Sequence, residues 1–119
     1  YAPEFIKLAG KPAEGTFVSF LAPPYEEMPE ARNFVEKFNK KYGEIKTYAP
    51  YAYDAANIVI DSIMRAGALD RKAVIAAMAK TKDFKGITGV TTFNENGDTL
   101  NEGIYFYEVK DGKFKWYGK

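Results

Sequence analysis

The sequence predicts an α/β fold that forms part of a larger sheet system, and three observations carry that prediction. Helical periodicity fills the middle of the chain, from Ala31 to Met78. Strand formers crowd its last third, from Val90 to Tyr117, with Asp111-Gly112 as a two-residue hairpin turn. One strand candidate, Thr16–Leu21, stands before three helices with no strand between them, so the parallel partners of a βαβ unit are missing.

In chain order, residues 4–9 read as the end of a short helix stopped by Gly10 and Lys11-Pro12. Gly15 opens the strand Thr16–Leu21, and Pro23-Pro24 forces the chain out of it into an extended path. Pro29 suits a helix start, and Ala31, Phe34, Val35, Phe38 and Tyr42 recur on one face of an amphipathic helix that Gly43 closes. A second helix runs from Ala49 or Tyr51 to Ala66 and ends at Gly67; its apolar residues go most of the way round, which predicts burial on several sides. Asp70 reads as the N-cap of a third helix with Ala73, Val74, Ala77 and Met78 inward. The strands Ile104–Val109 and Lys113–Tyr117 then form a hairpin, with Tyr105, Tyr107 and Val109 on one face and Ile104 and Phe106 on the other. Apolar residues on both faces predict cover on both sides.

Composition removes several classes of function. The 119 residues contain no Cys and no His, which excludes disulfides, Cys/His zinc sites, thiol nucleophiles and Ser-His-Asp triads. A net charge of +1 supplies no field for nucleic acid or an anionic membrane. No apolar run approaches the roughly 18 residues of a membrane span. No signal segment opens the chain, and its start at Tyr1-Ala2-Pro3 reads as the middle of something longer or a processed product.

Four motifs carry candidate chemistry. Asn94-Glu95-Asn96-Gly97-Asp98 offers oxygen ligands, but its glycine is misplaced for an EF-hand and Gly103 stands where the closing carboxylate belongs, so it reads as a polar turn. Asp54, Asn57 and Asp61 form a polar line on the second helix; Asp61 with Arg65 is an ordinary i,i+4 ion pair, and no acid, base and nucleophile converge. Lys110, Lys113, Lys115 and Lys119 interleave with Phe114 and Trp116, a pattern shared by exposed strands and by single-strand nucleic-acid binders, and no RNA-recognition signature accompanies it. The most informative stretch is Thr47–Ala56, where Tyr48, Tyr51 and Tyr53 crowd the start of the second helix. Rings at a helix start can wall a small-molecule cleft or pack a core, and chemistry alone leaves both open.

This stretch, with others in order along the chain, resembles the C-terminal third of periplasmic solute-binding proteins of the branched-chain amino acid (leucine/isoleucine/valine) transport class. The matching pieces include Phe5–Gly10 with Ala13-Glu14-Gly15, Ala22-Pro23-Pro24, Lys40–Gly43, Tyr51–Asn57, Lys82–Gly89, Phe93–Asp98 and Gly103–Val109. The resemblance implies part of a type I periplasmic-binding fold, in which two α/β lobes joined by hinge crossings close on a ligand. It implies that residues 1–20 and 104–119 belong to the second lobe and 25–100 to the first, with crossings at 21–24 and 101–103. It places Tyr48, and with it Tyr51, on the wall beside the ligand's side chain. The residues that hold the ligand's carboxylate and ammonium would lie mostly upstream of Tyr1.

The expected function is ligand capture by hinge closure, as a fragment of the substrate-binding component of an ABC importer for an amino acid or related small molecule. No enzyme activity, metal or cofactor is expected. The partners would be the small-molecule ligand and the importer's membrane subunits, outside the cytoplasmic membrane, with no nucleic acid. The isolated fragment is expected to self-associate through unpaired sheet edges. Two alternatives are a ligand-sensing domain of a receptor or regulator with the same fold, and a stand-alone interaction module using the C-terminal hairpin.

Overall fold

A computed structural model of the chain describes residues 1–45, 48–101 and 103–119. Thr47 of the tyrosine-rich stretch and Glu102 of the expected second crossing lie outside the described residues. The chain divides into two units: Tyr1–Pro29 with Glu102–Lys119, and Glu30–Asn101. The first is discontinuous in sequence and the second continuous.

The discontinuous unit is built on an antiparallel sheet of β1 (Phe17–Phe20), β4 (Tyr105–Lys110) and β5 (Lys113–Gly118), in the order β1-β4-β5. The hairpin joining β4 to β5 is the predicted one. Asp111 and Gly112 take φ of 55° and 69°, the paired left-handed conformation of a tight hairpin turn. Glu14, on the loop after the helix α1 (Pro3–Ala9), caps that turn: its carboxylate accepts the N–H of Asp111 at 3.0 Å and of Gly112 at 2.6 Å. Val18 lies opposite Tyr107, and Val109 opposite Phe114, on the covered face of the sheet. Tyr1 closes this face by packing its ring on Phe20, Tyr107 and Phe114 at centroid distances of 4.8, 4.5 and 4.7 Å.

The other face is uncovered among the described residues, so the cover expected on both sides is not supplied within this part of the sheet system. Ile104, Phe106, Phe17 and Tyr117 remain exposed, and Phe17 meets Tyr117 edge to face at 4.9 Å. Alternation put apolar residues on both faces, but among the described residues only one face has a layer against it.

The continuous unit holds α2 (Arg32–Tyr42), α3 (Ala49–Ala66), α4 (Arg71–Met78) and a small antiparallel hairpin of β2 (Phe84–Gly86) and β3 (Gly89–Thr91). A 3₁₀ turn over Pro29–Ala31 precedes α2, so the proline opens a tighter turn and the α-helix follows it. Gly67 ends α3 in the left-handed conformation, and Asp70 caps α4 by accepting the N–H of Ala73 at 2.8 Å.

α3 is less buried than its composition predicts. Its buried residues are Pro50, Asp54, Ile58 and Ser62, a single stripe at a spacing of four. Val59, Ile60 and Met64 are exposed, so the apolar residues outside the stripe are uncovered among the described residues. α3 packs against α4, and Arg65 fastens the pair: it donates to Asp61 at 2.7 Å, to Ser62 Oγ at 3.1 Å, to the carbonyl of Ala77 and to Thr81 Oγ1 at 2.9 Å. β2 was not anticipated from the sequence. No helix among the described residues is long and apolar enough to cross a membrane.

Candidate functional site

The start of α3 is where the sequence places its ligand candidates. Tyr48 occupies the N-cap position, and its carbonyl accepts the N–H of Ala52 at 3.0 Å. Pro50 follows in the first turn, where its missing N–H costs nothing, and it is fully buried. That buried proline seats the helix end. The Tyr48 side chain is 68% exposed, and Tyr51, three residues on and so on the same side of the helix, is half-buried. Tyr53 does something else: its ring packs on Phe34 of α2 at 4.6 Å, within an aromatic row that continues through Phe38 to Tyr42. Of the three tyrosines, Tyr53 serves packing between helices, whereas Tyr48 presents its ring outward.

One turn further along α3 the polar line proves to be structural. Asp54 is 5% exposed, and its carboxylate accepts the backbone N–H groups of Ile87 and Thr88 at 3.0 and 2.8 Å and the Thr88 hydroxyl at 2.6 Å. These three bonds hold the turn between β2 and β3. Gly86 packs so closely on the same carboxylate that a β-carbon there would overlap it, with Oδ1 at 2.9 Å and the other two atoms nearer still. Asn57 donates to the Tyr53 carbonyl at 2.9 Å, and Asp61 pairs with Arg65. Each member of the line is thus occupied within its own unit. The signal for the Asp54 contact was present in Gly86-Ile87-Thr88-Gly89, a small-residue turn, but nothing in the sequence names its distant partner.

Beside this turn an open groove of about 420 Å³ runs between α3 and β2, lined by Tyr53, Asn57, Ile60, Met64, Phe84 and Lys85 among others. It lies on the exposed apolar side of α3.

Two lysines of the basic hairpin have local partners. Lys115 Nζ sits 2.6 Å from Asp111 Oδ2, and the hydrogen bond and charge of that ammonium hold the Asp111 carboxyl below the usual carboxylate range. Lys119 lies over the ring of Tyr105 at 5.9 Å. Phe114 belongs to the Tyr1 cluster, so it is not a stacking platform. At the polar turn, Asn94 Oδ1 accepts the N–H groups of Asn96 and Asp98, both at 2.9 Å.

The family described as periplasmic binding protein matches across residues 1–113. Among curated proteins, the Leu/Ile/Val-binding protein homolog 1 of Brucella suis biovar 1 (strain 1330) is 29% identical over 95% of this chain, and homolog 2 of Brucella abortus (strain 2308) is 29% identical over 98%. The chain spans only about a third of their length, 31% and 32% respectively. Among solved structures, the leucine binding protein LivK of Thermotoga maritima MSB8 superposes with a TM-score of 0.85 at 31% identity, covering 98% of this chain and 34% of that one. The branched-chain amino acid transporter substrate binding protein LivJ of Streptococcus pneumoniae, in complex with isoleucine, gives 0.82 at 28% identity, covering 96% and 33%.

Proposed function

The chain belongs to the periplasmic binding protein family and carries part of its two-lobed α/β fold, and we propose that it works as part of a substrate-binding protein that delivers a branched-chain amino acid or a related small molecule to an ABC importer. The observation that carries this reading is the exposed ring of Tyr48, held on a seated helix end in a chain of this fold. An amphipathic ring on a rigid element borders an aliphatic side chain well and leaves a hydroxyl for a polar one. Tyr51 extends the same wall.

The division into two units supports assigning them to two lobes: 30–101 to the first, and 1–29 with the C-terminal hairpin to the second. Closure then follows from ligand contacts made with both lobes in the closed state and with one in the open state. The importer's membrane subunits are the proposed protein partner, on the outer side of the cytoplasmic membrane.

Titration of the intact protein with L-leucine, L-isoleucine and L-valine tests this. Tyr48→Ala should weaken binding about 10- to 100-fold, the range of a well-packed aromatic contact, and Tyr51→Ala less. Unchanged affinity in a folded Tyr48→Ala protein would remove Tyr48 from the site, and no binding of any of the three by the unmodified protein would defeat the ligand assignment.

A further inference from the structure

We infer that the outgoing crossing is held rigidly to the discontinuous unit as far as Met28, so that the closing movement pivots at Pro29–Glu30 and not at the prolines of 21–24. This rests on the hinge-closure reading above. The key group is the Tyr107 hydroxyl, which donates to the carbonyl of Ala22 at 2.9 Å. Both residues are inside the unit, Tyr107 2% and Ala22 4% exposed.

Tyr107 is itself fixed, because it sits in the central strand β4 opposite Val18 and its ring packs on Tyr1 at 4.5 Å. A carbonyl tied to such a ring loses most of its freedom, and a buried bond of this kind is expensive to break. Pro23 and Pro24 come next, each with φ set by its ring. A 3₁₀ turn over Tyr25–Glu27 follows, closed by the N–H of Glu27 on the carbonyl of Pro24 at 2.9 Å and the N–H of Met28 on that of Tyr25 at 3.0 Å. Met28 is then buried, at 8% exposure, and the unit ends at Pro29. From Ala22 to Met28, therefore, each step has either a ring-locked dihedral, a local hydrogen bond or a buried side chain. Tyr107 is in this sense a positioning residue for closure: buried in its own sheet, it acts through the Ala22 carbonyl on where the chain bends.

Pairs of spin labels on exposed positions of the intact protein test the pivot directly. The 119 residues contain no cysteine, so labels here are placed by single substitutions, with any cysteine elsewhere in the protein replaced. One pair joins Lys113→Cys to Glu27→Cys, and the other joins Lys113→Cys to Arg32→Cys. In the ligand-free protein the 113–27 distance distribution should be narrow and the 113–32 distribution broad. Saturating L-leucine should shift and sharpen 113–32 and leave 113–27 in place. If both pairs are broad, or both shift, the pivot lies before residue 27 and the inference is overturned while closure stands. If both are narrow and neither shifts, closure itself fails and the pivot with it. Tyr107→Phe keeps the ring and removes the hydroxyl, and it should broaden 113–27; an unchanged width would strip Tyr107 of the positioning role.

Discussion

The contact between Asp54 and the β2–β3 turn can be taken apart by a double-mutant cycle with an unusual sign. Asp54→Ala removes the acceptor of two backbone N–H groups and one hydroxyl. A buried donor left unpaired costs about 1–3 kcal/mol. The Thr88 hydroxyl can rotate to water, so the two N–H groups set the scale, and the variant should lose about 3 kcal/mol. Gly86→Ala acts on the same carboxylate from the other side, because its β-carbon would overlap all three carboxyl atoms. The carboxylate must move off its donors to make room, which should cost about 2–3 kcal/mol, as other overpacked sites do. Once Asp54 is alanine there is nothing to overlap. Gly86→Ala should then be neutral or stabilise by about 0.5 kcal/mol, the ordinary gain of Ala over Gly in a strand. The two substitutions together should therefore cost no more than Asp54→Ala alone, a coupling of about 3 kcal/mol. Urea denaturation of the four intact proteins, followed by circular dichroism, measures it. Additivity within about 0.5 kcal/mol would refute the reasoning.

Three further outcomes are expected. Asp70→Ala should lose the cap on α4 and about 1 kcal/mol, read as a lower urea midpoint at constant slope; an unchanged midpoint would show that the cap contributes nothing. Lys115→Gln should let the Asp111 carboxyl rise toward its ordinary value of 3.8 in an NMR titration, since the Lys115 ammonium is what lowers it; because ionised Asp111 is favoured in the folded protein, its small contribution is complete above that value and fades as pH falls through the depressed one, and a carboxyl unmoved by Lys115→Gln would contradict the assignment. The 119-residue chain produced alone should associate through its open sheet face and its outer strands β1 and β5; a monodisperse monomer by light scattering would refute that.

Most of the local structure was legible because its causes are local. The Asp111-Gly112 turn, the Asp70 cap, the Gly67 stop and the two-sided pattern of α2 each follow from residues within a few positions of one another. β2 escaped because Phe84-Lys85-Gly86 is short, ends in glycine and owes its place to Asp54, 33 residues before Ile87. Burial was the weaker part of the reading. Periodicity shows that α3 and the hairpin offer apolar residues on several sides, but not which sides have a neighbour: α3 buries one stripe, and the sheet one face. Asp54 was read correctly as non-catalytic, but its partner stayed hidden for a related reason, since a carboxylate on a helix looks the same in sequence whether it faces solvent or caps a distant turn. The tyrosines divide along the same line: Tyr53 packs on Phe34, whereas Tyr48 keeps most of its surface exposed.

The discontinuity of the first unit also dictates an order of assembly. The Tyr107–Ala22 bond spans 85 residues and the Glu14–Gly112 bond 98, so this sheet closes only after the whole intervening stretch has been brought back on itself. In the continuous unit the bonds of Asp54 to Ile87 and of Arg65 to Thr81 span 33 and 16 residues and need no such return. Closing a loop of 85 residues costs about 4 kcal/mol of chain entropy before the first strand pair repays any of it. Chain entropy therefore favours formation of the helical unit first, with β1 waiting for a partner made at the far end of the chain. On that order β1, and with it the start of the segment that runs on to Pro29, is expected to reach its native contacts last.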